Sequence, residues 1–243
     1  MDRSLRPPTI PIALILVSGL IAGVLPGAAA TTPAEPVGTS VRGEPIEAIR
    51  LGDPNSPRKA LVVGEIHGDE PGGLKITAAL RRDFSDIQGV DLWIVDAANP
   101  DGLAAHRRPN AHRVDLNRNW SYRWREGRHD GYYPGPAPFS EPESRAMRDL
   151  IERLQPQVSV WYHQPWNAVL VPCHGPAPLQ RRYARLAHMK RSCRGDKLRG
   201  TAIQWQNHTF PGTTAIVVEL GPGRISKAVA ERNARAVAAI AGG

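Results

Sequence analysis

Cysteine is scarce in this 243-residue chain: Cys173 and Cys193 are its only two, and neither has the paired spacing of a structural zinc site. Neither stands beside the apolar N-terminus, which removes a lipid-linked cysteine as an anchor. Long apolar runs are also missing. The one candidate, Ile10 to Leu25, is interrupted by Pro11, Ser18, Gly19 and Gly23 and falls short of the roughly 20 apolar residues that a membrane span requires. No later segment is apolar enough to cross a bilayer. Basic residues outnumber acidic ones, 31 to 23, yet no stretch interleaves them with aromatics as a nucleic-acid-binding motif would. The formal charge of +8 suits life beside a polyanion, such as a cell wall or an anionic membrane surface, better than nucleic-acid recognition.

What is present at the N-terminus reads as an export signal. Arg3 and Arg6 precede the broken apolar run, and Ala28-Ala29-Ala30 places small residues at the cleavage positions. We assign residues 1–30 as a secretory signal. Residues 31–45, rich in Pro, Thr and Gly, read as a flexible leader, and 46–243 as one folded domain. In an exported chain Cys173 and Cys193 are expected to close a single disulfide across the loop between them.

The stretch Val63 to Gly73 carries the first sign of chemistry. A short apolar run, Ala60 to Val63, reads as a buried strand, and Glu70 to Arg82 suits a helix, so His67 and Glu70 sit at the turn between them. At that spacing an imidazole nitrogen and a carboxylate oxygen can reach one cation, and the donor pair suits zinc. By itself His-x-x-Glu is common and commits to nothing.

Further strands are expected at Val90–Val95, Val158–Tyr162, Ala168–Val171 and Thr214–Val218, and helices at Ser140–Leu154, Leu179–Arg191 and Ser226–Ile240. Ser140 and Glu143 read as a capping box, and Ser226 as an N-cap. Asn99-Pro100-Asp101-Gly102 is dense in turn formers, and Gly102 to Tyr133 has no period. Its apolar anchors Val114, Leu116 and Trp120 favour an ordered loop. The alternation defines an α/β fold: a single domain with a twisted mixed, largely parallel sheet flanked by helices on both faces. In such sheets ligands gather at the C-terminal strand ends, where His67, Asn99, His163 and Glu219 all fall.

Taken together and in order, His67-Gly68-Asp69-Glu70, Asn99-Pro100-Asp101-Gly102, Arg108 with Asn110, Asp115 to Asn119, Ser140 to Glu143, His163 and Glu219 resemble the zinc carboxypeptidase family. Within it they resemble the compact bacterial branch that includes murein peptide amidases. The resemblance spans about residues 60–224 and implies one zinc ion held by His67, Glu70 and His163, with His174 as a rival third ligand. It implies Glu219 as general base and Arg108 as the residue that stabilises the oxyanion, with Arg107 adjacent. Asn117 and Arg118 match the pair that holds a substrate carboxylate. The remaining histidines, at 106, 112, 129, 188 and 208, are expected at the surface or in packing.

The resemblance implies hydrolysis of an amide bond next to a residue with a free carboxylate, in peptidoglycan peptides of the D-glutamyl-diaminopimelate type. General C-terminal trimming, N-acyl amino-acid deacylation and a non-catalytic wall-binding role are the alternatives. Larger members of the family place a Tyr over the substrate terminus, from a loop before the catalytic Glu. The corresponding stretch here, Gln206 to Thr213, has none, and His208 is the stand-in it offers.

Overall fold

The computed structural model describes residues 34–193 and 197–242 together with Met1. The signal read over residues 1–30 therefore lies outside the described residues, Met1 apart. Runs of β-branched and aromatic residues become the central strands: β3 (Lys59–Glu65), β4 (Asp91–Ala97), β5 (Val158–His163) and β8 (Thr214–Glu219). Together with β1 (Ala34–Thr39), β2 (Pro45–Gly52), β6 (Ala168–Leu170) and β7 (Lys190–Ser192) they form one eight-stranded sheet in the order β1-β2-β4-β3-β5-β8-β6-β7. The centre is parallel, and the β1–β2, β2–β4 and β6–β8 pairs are antiparallel.

Strands buried on both faces need cover on both. Six α-helices lie among the described residues: α1 (Gly73–Asp83), α2 (Pro100–Ala105), α3 (Pro142–Leu154), α4 (Pro178–Leu186), α5 (Ala202–Thr209) and α6 (Lys227–Ala241). One apolar layer joins Val62, Ile94, Val160 and Ile216 to Ile76 and Leu80 of α1, Tyr183 of α4 and Val237 of α6. The other joins Leu61, Val63, Trp93 and Trp161 to Leu150 and Ile151 of α3 and Trp205 of α5. Alternating residues of each strand serve opposite layers, as pleating requires.

Several expectations are corrected. Ala34–Thr39 is a strand, not leader: it pairs with β2 along the sheet edge, and Gly38 packs so close to Ala146 of α3 that no Cβ would fit. Asn99 opens helix α2 instead of a free turn, its side chain accepting from Gly102 N with Pro100 in the first turn. The cap of α3 falls on Glu141 without a side-chain bond, because Ser140 donates to Glu141 and Glu143 instead accepts from Val41 N and Asn110. Helix α4 stops at Leu186, and Lys190–Ser192 joins the sheet as β7. Helix α5 was not foreseen, being short and mixed in polarity; Ser226 caps α6 as expected.

The aperiodic loop is ordered by the anchors its sequence offers. Val114, Leu116 and Trp120 are buried, and Trp120 makes ring contacts with Phe139, Trp161 and Trp205. Asn119 Nδ2 ties the loop's two arms by donating to the carbonyls of Pro134 and Ala137 and to Ser140. On the opposite sheet edge, the Cys173 thiol donates to the Cys193 carbonyl at 2.9 Å, so both exposed cysteines end side by side.

Candidate metal centre and substrate cleft

Three strand ends converge. His67 follows β3, and the turn that closes behind it, Glu70 N donating to His67 O at 2.8 Å, brings Glu70 back over the strand end. Gly68 lets this turn press on the Gly102 backbone of α2, where any Cβ would collide. His163 ends β5 and lies in register with Glu219, which ends β8. Gln164 stitches the three ends: it accepts from Gly72 N, and its side-chain amide donates to the carbonyls of Gly221 and Gly223.

The donor atoms meet at a single point. Nδ1 of His67 and Nδ1 of His163 lie 3.0 and 2.9 Å from Glu70 Oε2, and 3.1 Å from each other. All three residues are buried, and they form the one such group found among the described residues. Two imidazoles and a carboxylate converging on one point, with the cleft open on the remaining side, fit a single zinc ion with a fourth position left for water or substrate. The outer nitrogens are held too. His67 Nε2 is 3.0 Å from Asp115 Oδ1, and His163 Nε2 is 3.3 Å from Asn117 Nδ2. A carboxylate on the far nitrogen fixes the His67 tautomer, freeing Nδ1 to bind a metal. His174 is exposed and outside this group, so His163 is the residue placed to complete the donor set.

Electrostatics keep Glu70 and His67 charged, while burial lowers the pKa of His163. Burial works against the Glu70 carboxylate, yet His67 and His163 hold its pKa far below the usual range. Burial likewise opposes the charged His67, but Asp115 and Glu70 raise it to about 9. Protons therefore compete with a metal for His67. Arg108 donates through Nε to Asp115 at 3.0 Å and through Nη1 to Glu70 at 2.8 Å, so it lies beside the ligand set. Arg107 is exposed and outside the cleft, which leaves Arg108 as the charged group in place to face a developing oxyanion.

Glu219 differs from Glu70. Its Oε2 is buried with no hydrogen-bond partner among the described residues. Burial, with Glu70 adding to it, pushes the pKa up to about 7, outweighing the Trp166 backbone N–H. A carboxylate with one buried oxygen left unpartnered, and a pKa raised toward neutrality, is suited to proton transfer. Glu65, at the end of β3, was not foreseen. It is fully buried, and burial pushes it up to about 8 against the pull of His67, so it is a neutral acid at pH 7.

The cleft has a volume of about 1130 Å³ and is lined by the three candidate ligands, Glu219, Arg108, Asn117 and Arg118, with Asp69, Lys75 and Arg224 adding further charge. Asn117 Oδ1 accepts from Ala202 N of α5, and Arg118 Nη1 donates to the Asn117 carbonyl at 2.7 Å. Gly200, at positive φ, lies against the Arg118 carbonyl where a Cβ would collide, and pairs with Trp120. These contacts fix the backbone of the Asn-Arg pair. The Arg118 side chain, held by its bond to the Asn117 carbonyl, also enters a cation–π arrangement.

Tyr132 supplies that arrangement. Its ring, 59% exposed, lies 4.9 Å from the Arg108 guanidinium and 5.7 Å from that of Arg118. No sequence signal marks Tyr132, because the contact arises only when the loop folds back. His208, by contrast, stacks on Tyr122 at 4.0 Å and does not line the cleft. The tyrosine that does line the cleft, Tyr132, comes from a different loop. Gln164 and Trp166 also line the cleft and were not singled out, although both follow His163 directly.

An open α/β sheet with a two-His, one-carboxylate cluster and an unpaired carboxylate at its strand ends defines the class of mononuclear zinc hydrolases. Comparison with known proteins narrows the class. The zinc carboxypeptidase sequence profile matches residues 30–194, which make up most of the chain, and the chain belongs to that family. The matched span holds every ligand and the Arg108, Asn117 and Arg118 positions, but ends before Glu219. Murein peptide amidase A of Escherichia coli K12 is 34% identical over 155 residues, which cover 58% of this chain and 62% of that protein. The alignment thus spans under two thirds of that relative's length.

Among solved structures, the murein-tripeptide amidase of Escherichia coli O157 superposes with a TM-score of 0.71 at 27% identity, covering 90% of this chain and 94% of that one. Carboxypeptidase A of Helicoverpa armigera shares the fold at 20% identity, with a TM-score of 0.70 over 86% of this chain and 69% of its own.

The carboxylate grip of Asp115 on His67 is open to test. Replacing Asp115 by Asn should weaken zinc binding by roughly 10- to 100-fold, the usual effect of removing such a partner. Competition with a fluorescent chelator would measure it. Unchanged affinity would show that Asp115 serves only Arg108 and the loop.

Proposed function

We propose that the chain is an exported zinc-dependent peptidase that hydrolyses the amide bond before a residue bearing a free carboxylate, with D-glutamyl-diaminopimelate peptides of peptidoglycan as its substrates. The observation that carries this reading is that the ligand set, the unpaired Glu219 and the Asn117–Arg118 pair all line one cleft. The likeness to murein peptide amidases, the basic charge and the N-terminal signal support the wall substrate.

When bound, zinc would polarise the scissile carbonyl and lower the pKa of a water toward ~7. The chain's own groups do the rest. Arg118, with Asn117, grips the terminal carboxylate and so sets which bond lies over the cluster. Glu219 Oε2 takes a proton from the attacking water and returns it to the leaving nitrogen. Arg108 faces the oxygen on which charge develops. Tyr132 holds the Arg108 and Arg118 guanidiniums under its ring, each contact contributing about 0.5–1 kcal/mol.

Tyr132→Ala should therefore raise KM about tenfold with kcat within about twofold of wild type, whereas Tyr132→Phe should keep the wild-type KM. Steady-state kinetics on a peptide with a free carboxylate would check both. Equal losses in the two variants would place the effect in the phenol hydroxyl and not the ring.

One observation favours a second reading, a general carboxypeptidase. Leu170, Leu198, Ile203 and Val217 form an apolar wall of the cleft, and Val217 points to the same side of β8 as Glu219. Within that wall the distal amine and carboxylate of diaminopimelate meet no charge; the cleft's other charged residues, Asp69, Lys75 and Arg224, lie outside it. Incubating zinc-loaded protein with L-Ala-γ-D-Glu-diaminopimelate, and separately with peptides ending in Leu or Phe, decides between them by mass spectrometry. Release of diaminopimelate supports the wall peptide. Release of Leu or Phe alone moves the function to general trimming, and cleavage of small acylated amino acids alone to a deacylase.

A further inference from the structure

The sheet edge beyond the cleft carries charge that the catalytic reading does not use. Between Val171 and Cys193 the chain has Arg181, Arg182, Arg185, Lys190 and Arg191, and no Asp or Glu, so this segment holds more than half of the formal charge of +8. Helix α4 and strand β7 bring the five together. Among the described residues, the cations paired with carboxylates lie elsewhere, from Arg50 to Arg153 and at Lys227. Arg181, Arg185, Lys190 and Arg191 are exposed.

The patch is concave. Arg181 of α4 and Lys190 and Arg191 of β7 border a groove of about 540 Å³ floored by Val171, Pro172 and Met189. Ala177, the N-cap of α4, also lines it and makes no side-chain cap, so the positive end of the helix adds to the field. Charges on an edge strand can serve simply to block strand pairing. That accounts for Lys190 and Arg191 but not for Arg181, which comes from a helix and closes the groove's other side.

We propose that this groove docks a linear polymer bearing phosphate groups. Three cations, two of them arginines with forked donors, suit a row of phosphate oxygens. A bilayer is the poorer fit: on α4 the one exposed large hydrophobic residue is Leu186, and no aromatic anchor accompanies it. The placement also serves the cleft. Leu170 of β6 lines the cleft and pairs with Ser192 of β7, so a polymer on β7 lies beside a cleft-lining strand and two strands from Glu219 of β8. The proposal does not depend on which peptide is cleaved.

Fluorescence anisotropy with labelled inorganic polyphosphate tests it, using the zinc-loaded full chain. Wild type should bind with an affinity that falls roughly 20- to 40-fold between 50 and 200 mM salt, as about three phosphate contacts require. The variant R181E/K190E/R191E should bind at least about tenfold more weakly, while R42E/R125E/K227E, with the same change in net charge at exposed sites elsewhere, should lose less than about threefold. Circular dichroism checks folding, and the single changes K190Q and R191Q, each expected to weaken binding twofold or more, replace the triple variant if it fails to fold. Equal losses from the two triple variants would overturn the proposal, leaving only diffuse charge. So would wild-type binding to phosphatidylglycerol vesicles but not to polyphosphate.

Discussion

Glu219→Gln should reduce kcat by about a thousandfold or more while leaving zinc affinity and KM near wild type. General acid–base catalysis contributes typically 10²–10⁴-fold, and in the proposed mechanism a single carboxylate both accepts and returns the proton. The amide keeps the shape of the side chain but cannot take the water's proton. Because Oε2 has no hydrogen-bond partner among the described residues, the substitution breaks no structural contact, which separates a catalytic loss from a folding one.

The same group sets the acidic limb of the pH profile. Glu219 acts as a carboxylate, so kcat/KM rises as pH climbs through its pKa and falls as it is protonated below. Burial pushes that pKa up to about 7 in the protein alone, and a cation bound beside it favours the charged form, so the limb lies at or below pH 7. A stopped assay from pH 4 to 9 would show it. If Glu219→Gln kept the wild-type limb and rate, another group would be the base.

The second large effect belongs to Arg118. Arg118→Met keeps the apolar stem and removes the charged fork, so KM for a substrate with a free carboxylate should rise about 100-fold. Loss of one partner of a close charge pair costs about 2–5 kcal/mol, and ~1.4 kcal/mol is a factor of ten. Against the matching C-terminal amide the variant and wild type should differ little. The comparison of acid and amide is the critical readout, because a general weakening of the loop would slow both. Since the loop is fixed through Asn117, Asn119 and Trp120, the Arg118 side chain can be changed without dismantling it.

The central strands and the ligand set were legible because each leaves a local trace. A buried parallel strand is a short apolar run, and a polar residue directly after it falls at the sheet's ligand-binding edge; His67, His163 and Glu219 all obey this. The metal pair His67 and Glu70 is also local, three residues apart on one turn.

What stayed hidden depends on tertiary contact. β1 resembles a linker in composition and is a strand only because β2 and α3 offer it an edge and a surface. Tyr132 gains its place from two arginines 24 and 14 positions earlier. Gln164 is polar and follows a ligand, but its role as the tie between three strand ends cannot be read until those ends meet. Glu65 looks like any strand-end carboxylate, and its neutrality follows from burial alone. The clustering of five cations along α4 and β7 was masked by an expected helix running to Arg191. In the structure the last two of them turn back as an edge strand to face Arg181.

The account rests most heavily on metal-dependent cleavage directed by a free carboxylate. The most direct measurement follows product release by mass spectrometry from paired peptides, identical except for a terminal acid or amide, with protein that has been stripped by chelator and then reloaded with zinc. The account predicts no cleavage by stripped protein, recovery on adding one equivalent of zinc, and an acid cleaved at least about 100-fold faster than its amide. Cleavage that survives stripping, or acid and amide cut equally fast, would contradict it.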